Sequence, residues 1–360
     1  MMVAIKSKKI IVALSGGVDS AVAATLLKKQ GFAVMGVFMR FFSGRKDEKS
    51  SRKAKKIAVI LEIPFRKIDA RKEFRKKIIN YFVSSYKKGL TPNPCVACNK
   101  EMKFRLLFDL LRKEKADFVA TGHYARLGRE IPNPKSQINS KFKIIYRLLE
   151  AKDKTKNQSY FLYKLSQKEL SKIIFPLGNY TKVEVRKIAK KFKLPISDGE
   201  ESQDICFLQE KDINYFLGKH IRFKHGNIID GKGNIIGKHK GLPLYTIGQR
   251  KGIEIGASGP YFTLGKNLKK NELIVTNDQK NLNSKKFKVK QVNWINQKIS
   301  MPLSAKVQIR YHADKFPAII KSDKYGNLII KTKKPVRAVT PGQSAVFYKN
   351  KEILGGGIIK

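Results

Sequence analysis

Apolar and polar positions follow two rhythms over the first half of the chain. Residues 8–14, KKIIVAL, make a short apolar run that stops at the turn SGGVDS. In AVAATLLKKQG, which comes next, Val22, Leu26 and Leu27 recur at helical spacing and Gly31 is the stop. AVMGVFMR then predicts a second strand, residues 53–61 a second helix and 64–68 a third strand. Strand, helix, strand, helix, strand is the pattern of a parallel α/β sheet. Helical spacing continues over 72–87, 101–115 and 181–192, and the strand DFVATG leads into His123 and Tyr124. Residues 131–143 read as a surface loop.

Beyond residue 208 the texture changes: glycine becomes frequent and helices scarce, as in GNIIDGKGNIIGKHKG. From residue 287 onward the segments FKVKQVNWI, SAKVQIRY, NLIIKT and SAVFYK alternate and are separated by turn signals such as YGN and TPGQ. That is an all-β pattern, most simply a small barrel. The chain is therefore predicted to divide into 1–208, 209–286 and 287–360, in keeping with a length of 360 residues.

Composition narrows the partners. The net charge is +48, from 76 Lys and Arg against 28 Asp and Glu. Such a balance points to a polyanion, nucleic acid by default, although a lysine-rich chain would coat its whole surface whatever it did. No apolar run reaches the roughly 18–20 residues of a membrane span. The opening MMVAIKSKKIIVAL faintly resembles a signal peptide, yet it runs into the Gly-rich turn without a cleavage site. It reads as the first buried strand of a cytoplasmic protein. Cys95, Cys98 and Cys206 are too few for a secreted disulfide scaffold. With no histidine at ligand spacing they also make a poor zinc set, and no metal site is expected. Structural thiols or redox chemistry remain.

Four blocks carry candidate chemistry. Ser15–Gly16–Gly17–Val18–Asp19–Ser20 lies between a strand and a helix, where glycines admit phosphate and the helix N-terminus offers free N–H groups. It lacks the Walker A lysine and the dinucleotide spacing. It matches the pyrophosphate loop of enzymes that split ATP into AMP and pyrophosphate. In TPNPCVACNK two prolines make a rigid approach to Cys98. A helix start with Lys100 and Lys103 nearby is expected to lower that thiol toward thiolate. Two buried structural thiols, or a Cys95–Cys98 redox pair, are the competing readings. Cys206 in SQDICF sits among apolar neighbours as core residues do, and gains interest only as a distant partner for the C-x-x-C pair. Gly122, at a strand end in TGHY, allows a ligand to approach closely. His123 beside it is equally readable as a base or phosphate contact or as a satisfied structural histidine.

Together these blocks resemble the tRNA-specific 2-thiouridine synthases (2-thiouridylases). The similarity runs nearly end to end, through ALSGGVDS, TPNPCVACNKEMKF, ATGHYAR, NQSYFLYKL, FPLGNYTKVEVR, ESQDICFL, GKHKGLPLYTIGQRKGI, RYH and TPGQSAVFY. The pyrophosphate loop is shared with many ATP-dependent ligases; the cysteine blocks and YTIGQRKG are much more specific.

The resemblance implies a parallel-sheet pyrophosphate-loop domain of the adenine nucleotide α-hydrolase-like kind over 1–208, a small β-rich adaptor and a C-terminal, tRNA-contacting β-barrel. It implies ATP binding by Ala13, Leu14, Ser15, Gly16, Gly17, Val18, Asp19, Ser20, Met39 and Gly122, with magnesium as counter-ion. Asn93, Pro94 and Cys95 would surround the target uridine, Cys98 would be the nucleophile and Cys206 the persulfide carrier. His123, Lys156, Asn157, Gln158, Arg310, Tyr311 and Gln343 would contact tRNA. Cys95 stands where some members carry Asp, and a thiol cannot inherit a carboxyl group's acid–base role. Asn157 likewise replaces an Asp, and residues 40–51 have no evident task.

The implied reaction is ATP-dependent 2-thiolation of the wobble uridine. Adenylation activates the C2 oxygen, and a sulfur-donor protein loads Cys206. Sulfur then leaves either by direct persulfide attack or as released hydrosulfide, and a cellular reductant reopens the Cys98–Cys206 disulfide. Two rival readings stand beside it. Another AMP-forming enzyme, thiolating a different atom or forming amides, would keep the loop without needing both cysteines. A non-catalytic RNA-binding protein would need the basic β-rich half alone.

Overall fold

Ile10, Ile11 and Val12 are wholly buried, so both faces of the first strand are covered, as a central parallel strand requires. Full burial of each such side chain stabilises the fold by about 1.5–3 kcal/mol. The chain is described here by a computed structural model over residues 7–131, 144–195, 205–208, 212–253, 255, 259–296 and 299–360. Strands β1 (Lys9–Ala13), β2 (Ala33–Arg40), β3 (Phe65–Asp69) and β4 (Phe118–Ala120), with the two-residue strand Ile173–Ile174, form one parallel sheet. The order is β3–β2–β1–β4–Ile173/Ile174. The chain winds outward from β1 in one direction through β2 and β3, then returns to β1's other side with β4. That reversal opens a crevice at the C-terminal ends of β1 and β4, the place where open α/β sheets bind ligands.

Helix α1 (Val18–Lys29) buries Ala21–Ala24 and Leu27 against the sheet. Helix α2 (Arg45–Ile60) begins earlier than the apolar spacing predicts. Its polar first turns are held by Arg40, which pairs with Asp47 at 3.0 Å and Glu48 at 3.5 Å. Residues 40–51 thus end a strand and start a helix. The two longer predicted helices run over 71–87 and 94–113, and each carries a π-helical turn, Arg75–Ile79 and Asn99–Phe104. The segment 181–192 is the helix Lys182–Lys191, opened by a capping box between Thr181 and Glu184.

The second half is β-rich as anticipated. Gly226–Ile229, Ile235–His239, Phe262–Asn267 and Glu272–Thr276 form a four-stranded sheet. Six later strands close into a barrel, because Asn283–Trp294 pairs with both Leu328–Arg337 and Glu352–Ile359. The hairpin of Ala125–Glu130 and Ile145–Glu150 was not foreseen. It joins this barrel sheet through Glu352 and Leu149. Tyr160 donates to the Ser344 carbonyl at 2.9 Å, and Asn293 to the Tyr163 carbonyl at 2.7 Å. The barrel is therefore fixed directly onto the α/β part. Residues 132–143 of the expected loop lie outside the described residues.

Candidate active site

The loop after β1 is folded by its own hydroxyls. Ser20 Oγ donates to the Gly17 carbonyl at 2.9 Å and accepts from the Ser15 N–H at 3.1 Å. Gly16 has φ +83°, and a Cβ there would stand 2.5 Å from the Ser50 carbonyl of α2. A side chain is excluded by both backbone and neighbour. Gly122, at the end of β4, leaves no room for a Cβ either, which would lie 2.8 Å from the Ser20 nitrogen. The loop thus offers bare backbone at the mouth of the crevice and the N-terminus of α1, which suits a polyphosphate. Ala13 closes β1, the Leu14 N–H donates to the Val37 carbonyl at 2.7 Å, and Met39 follows two residues later on β2. Gly17 caps α1, whose first residue is Val18. All ten residues assigned to ATP converge here.

Two side chains escaped the sequence reading. Lys182 reaches both carboxylate oxygens of Asp19, at 2.7 and 2.8 Å, and the Tyr124 hydroxyl donates to the same carboxylate at 2.8 Å. Lys182 Nζ comes from 163 residues away, so no local motif announces it. Its place as first residue after a capping Thr was the available signal.

The cysteine site departs from expectation. The helix starts at Pro94, with Asn93 as N-cap accepting from the Val96 N–H at 3.2 Å. Proline is preferred at that first position, so the rigid approach is shorter than predicted. Cys98 is therefore the fifth helical residue, one turn inside, and Cys95 is the one near the helix N-terminus. Cys98 is 6% exposed, and burial pushes its thiol up to about 12; Lys103 pulls it down by less. The expected resting thiolate is thus contradicted, because desolvation outweighs the cation. Lys100 is engaged elsewhere: its ammonium lies 2.7 Å from both oxygens of Glu169.

Cys206 is close enough to Cys98 to raise its pKa, as is Cys95. Phe207 anchors the Cys206 turn, its ring lying 5.1 Å from both Phe82 and Phe216 in the core cluster that also holds Cys98. Cys206 is exposed at its surface, although surrounding protein pushes its thiol upward as well; solvent access makes that rise the less constraining of the two. No disulfide joins Cys98 to Cys206.

His123 packs over Phe104, ring centroids 6.0 Å apart, and its Nδ1 lies 2.7 Å from the Thr121 hydroxyl. Burial lowers its pKa to about 3, so it is a neutral ring and not a phosphate-binding cation. The Asn157 Oδ1 accepts from the Ala151 and Ser159 N–H groups, and Nδ2 donates to Glu150 at 3.0 Å. An Asp at 157 would meet Glu150 as a like charge. Gln158 Oε1 accepts from the Tyr124 N–H at 3.1 Å, and the Lys156 N–H reaches Asp153. The Tyr311 ring lies 4.3 Å from that of Phe161, bringing this barrel residue to the turn Ser159–Leu162 that follows the 156–158 segment. Arg310 donates to the Ala338 carbonyl. Gln343 Nε2 donates to the carbonyls of Thr91 and Pro92, at 3.0 and 3.4 Å. The residues assigned to RNA thus meet at the junction of barrel and α/β part. There Asn157, Gln158 and Gln343 use their side chains to brace backbone.

Among the described residues no group of three or more His, Cys, Asp or Glu could hold a metal ion, and no helix is long and apolar enough to cross a membrane.

Residues 8–210 match the family model described as the tRNA methyl transferase HUP domain, 214–277 the tRNA methyl transferase PRC-barrel domain, and 284–359 the aminomethyltransferase beta-barrel domain. The tRNA-specific 2-thiouridylase MnmA of Syntrophomonas wolfei is 40% identical over 354 residues, covering 98% of this chain and 99% of that one. The protein of the same name from Chloroflexus aurantiacus is 41% identical over 364 residues, covering 97% and 98%. That of Buchnera aphidicola is 40% identical over 373 residues, covering 99% and 98%. On these full-length matches, the chain belongs to the tRNA-specific 2-thiouridylase family.

Proposed function

We propose that this protein is a tRNA-uridine 2-sulfurtransferase that consumes ATP and acts on the wobble uridine. The observation that carries the reading is that Cys98 packs in one core cluster with Phe207, the neighbour of Cys206, although the two cysteines lie 108 residues apart in sequence, in a fold whose loop after β1 offers bare backbone to phosphate. ATP lies with its phosphates on residues 13–20, flanked by Met39 and Gly122, and brings magnesium as its own counter-ion. The Asp19–Lys182 pair holds the loop's one carboxylate in place and supplies a cation beside the phosphates. The uridine, turned out of its stack, is bordered by Asn93, Pro94 and Cys95. Residues 1–208 carry out the chemistry, 209–286 act as adaptor, and 287–360, with His123 and residues 156–158, seat the tRNA.

The uridine O2 attacks the α-phosphate, the base loses its N3 proton, and pyrophosphate leaves. The terminal sulfur of a Cys206 persulfide, delivered by a donor protein, adds to C2 and AMP departs with the former O2. Cys98 then gives up its proton and attacks Cys206 Sγ. The S–S bond to the base breaks, its electron pair stays on the new 2-thio group, N3 regains a proton, and a Cys98–Cys206 disulfide remains. A cellular dithiol returns both cysteines to thiols and is itself oxidised. The setting for this chemistry is the cytoplasm. Mass spectrometry of tRNA nucleosides tests the reading: a strain lacking the protein loses 2-thiouridine and regains it on complementation. Undiminished 2-thiouridine in the deletion strain would overturn it.

A further inference from the structure

Two lysines follow Cys98 closely in sequence, and the fold separates their roles. Lys100 is neutralised by Glu169, which also closes the capping box on Ser166. Lys103 has no ion pair or side-chain hydrogen bond among the described residues. It lies in the π-helical turn Asn99–Phe104, half-buried between the fully buried Met102 and Phe104. Met102 belongs to the core cluster of Cys98 and Phe207, while Phe104 packs against His123. An extra residue in a helical turn redirects the side chains after it, and such turns recur at functional sites. Here the turn begins at the residue after Cys98.

We propose that Lys103 is the counter-cation of sulfur transfer, its ammonium within electrostatic reach of Cys98, Cys206 and His123 and stabilising negative charge on whichever sulfur is reacting. The inference rests on the roles proposed above for the two cysteines. Lys103 is the basic side chain that lowers the pKa of both thiols, and its field also reaches His123. His123 cannot share the task, because its ring is neutral. The Cys95 and Cys206 thiols act on Cys98 in the opposite sense, and Glu169 is occupied by Lys100. When Cys98 sheds its proton to attack Cys206 Sγ, charge passes from one sulfur to the other within reach of the same ammonium. The covalent steps are those given above and need no further reactant.

The test is alkylation of each cysteine by iodoacetamide in the full-length protein, followed by peptide mass from pH 6 to 10. It uses neither ATP nor tRNA. With Lys103→Met, Cys98 and Cys206 should both react about tenfold more slowly at pH 8, the change in thiolate fraction for one unit of pKa, and the profiles should move to higher pH. Lys103→Arg should stay within about twofold of the parent rates, because its charge is retained. Unfolding has the opposite signature, since it would expose Cys98 and speed its reaction; Lys103→Gln then serves as the replacement variant. Unshifted profiles in Lys103→Met, or equal slowing in Lys103→Arg, overturn the inference. Shifted profiles in a protein that makes no 2-thiouridine would overturn the proposed function and leave the electrostatic role of Lys103 standing.

Discussion

The ammonium of Lys182 bridges both carboxylate oxygens of Asp19, at 2.7 and 2.8 Å, and joins the start of a late helix to the nucleotide loop. Lys182 has only 13% of its side chain exposed. Removing Asp19 leaves that charge partly buried and unpaired; removing Lys182 takes a cation from the loop. Lys182→Met and Asp19→Ala should each slow pyrophosphate release by about a hundredfold or more, the scale of one lost electrostatic contact at a reacting centre. Affinity for tRNA should change by less than about threefold. Pyrophosphate release at the parent rate in either variant would remove this pair from the mechanism.

The approach to the cysteine loop is held from two sides. The Thr91 N–H donates to the Pro341 carbonyl at 2.9 Å, its hydroxyl lies 3.1 Å from that of Thr246, and Gln343 donates to the Thr91 carbonyl. Gln343→Ala should cost about 1 kcal/mol in urea unfolding, the net worth of an ordinary hydrogen bond. It should also depress thiolation more than it depresses pyrophosphate release from bound ATP. Equal losses in both would show that the brace serves general stability alone.

His123 gives a pH prediction with a definite sign. Its folded pKa, about 3, lies below the ordinary value of 6.5, so the folded protein resists a proton that the unfolded chain accepts. Stability is full above pH 6.5 and declines as pH falls from there toward 3. His123→Asn should flatten that decline, read from unfolding midpoints at pH 7.5 and 5. An unchanged slope would mean that His123 titrates alike in both states.

Charge should appear in binding. If the Lys and Arg excess faces tRNA at the barrel junction, log affinity should fall against log salt with a slope of several units, one for nearly every phosphate neutralised. A flat titration would show the excess to be general surface cover.

Much of this was legible in the chain. The parallel sheet, the loop at Ser15–Ser20 and the β-rich second half follow from periodicity and glycine placement. Other features are non-local. Glu352–Ile359 hides behind three glycines, needed because a Cβ at Gly356 would meet the Tyr163 ring at 2.8 Å. The hairpin at 125–150 is short, and part of its connection belongs to residues 132–143. Lys182 meets Asp19 only because its helix packs against α1. The state of Cys98 was misread because helix position and nearby lysines are visible in sequence whereas burial is not. Lys100 and Lys103 look alike until Glu169 claims one of them.

The central claim is that Cys98 and Cys206 act as a pair while Cys95 borders the base. Full-length protein with ATP, tRNA and a persulfide donor should be assayed for 2-thiouridine in three single Cys→Ser variants, with the disulfide of the spent enzyme mapped by peptide mass. Cys98→Ser and Cys206→Ser should each lose activity, Cys95→Ser should retain a measurable part, and the parent enzyme should yield a Cys98–Cys206 disulfide. Full activity in Cys206→Ser, or a Cys95→Ser loss as complete as that of Cys98→Ser together with a Cys95–Cys98 disulfide, would contradict the account.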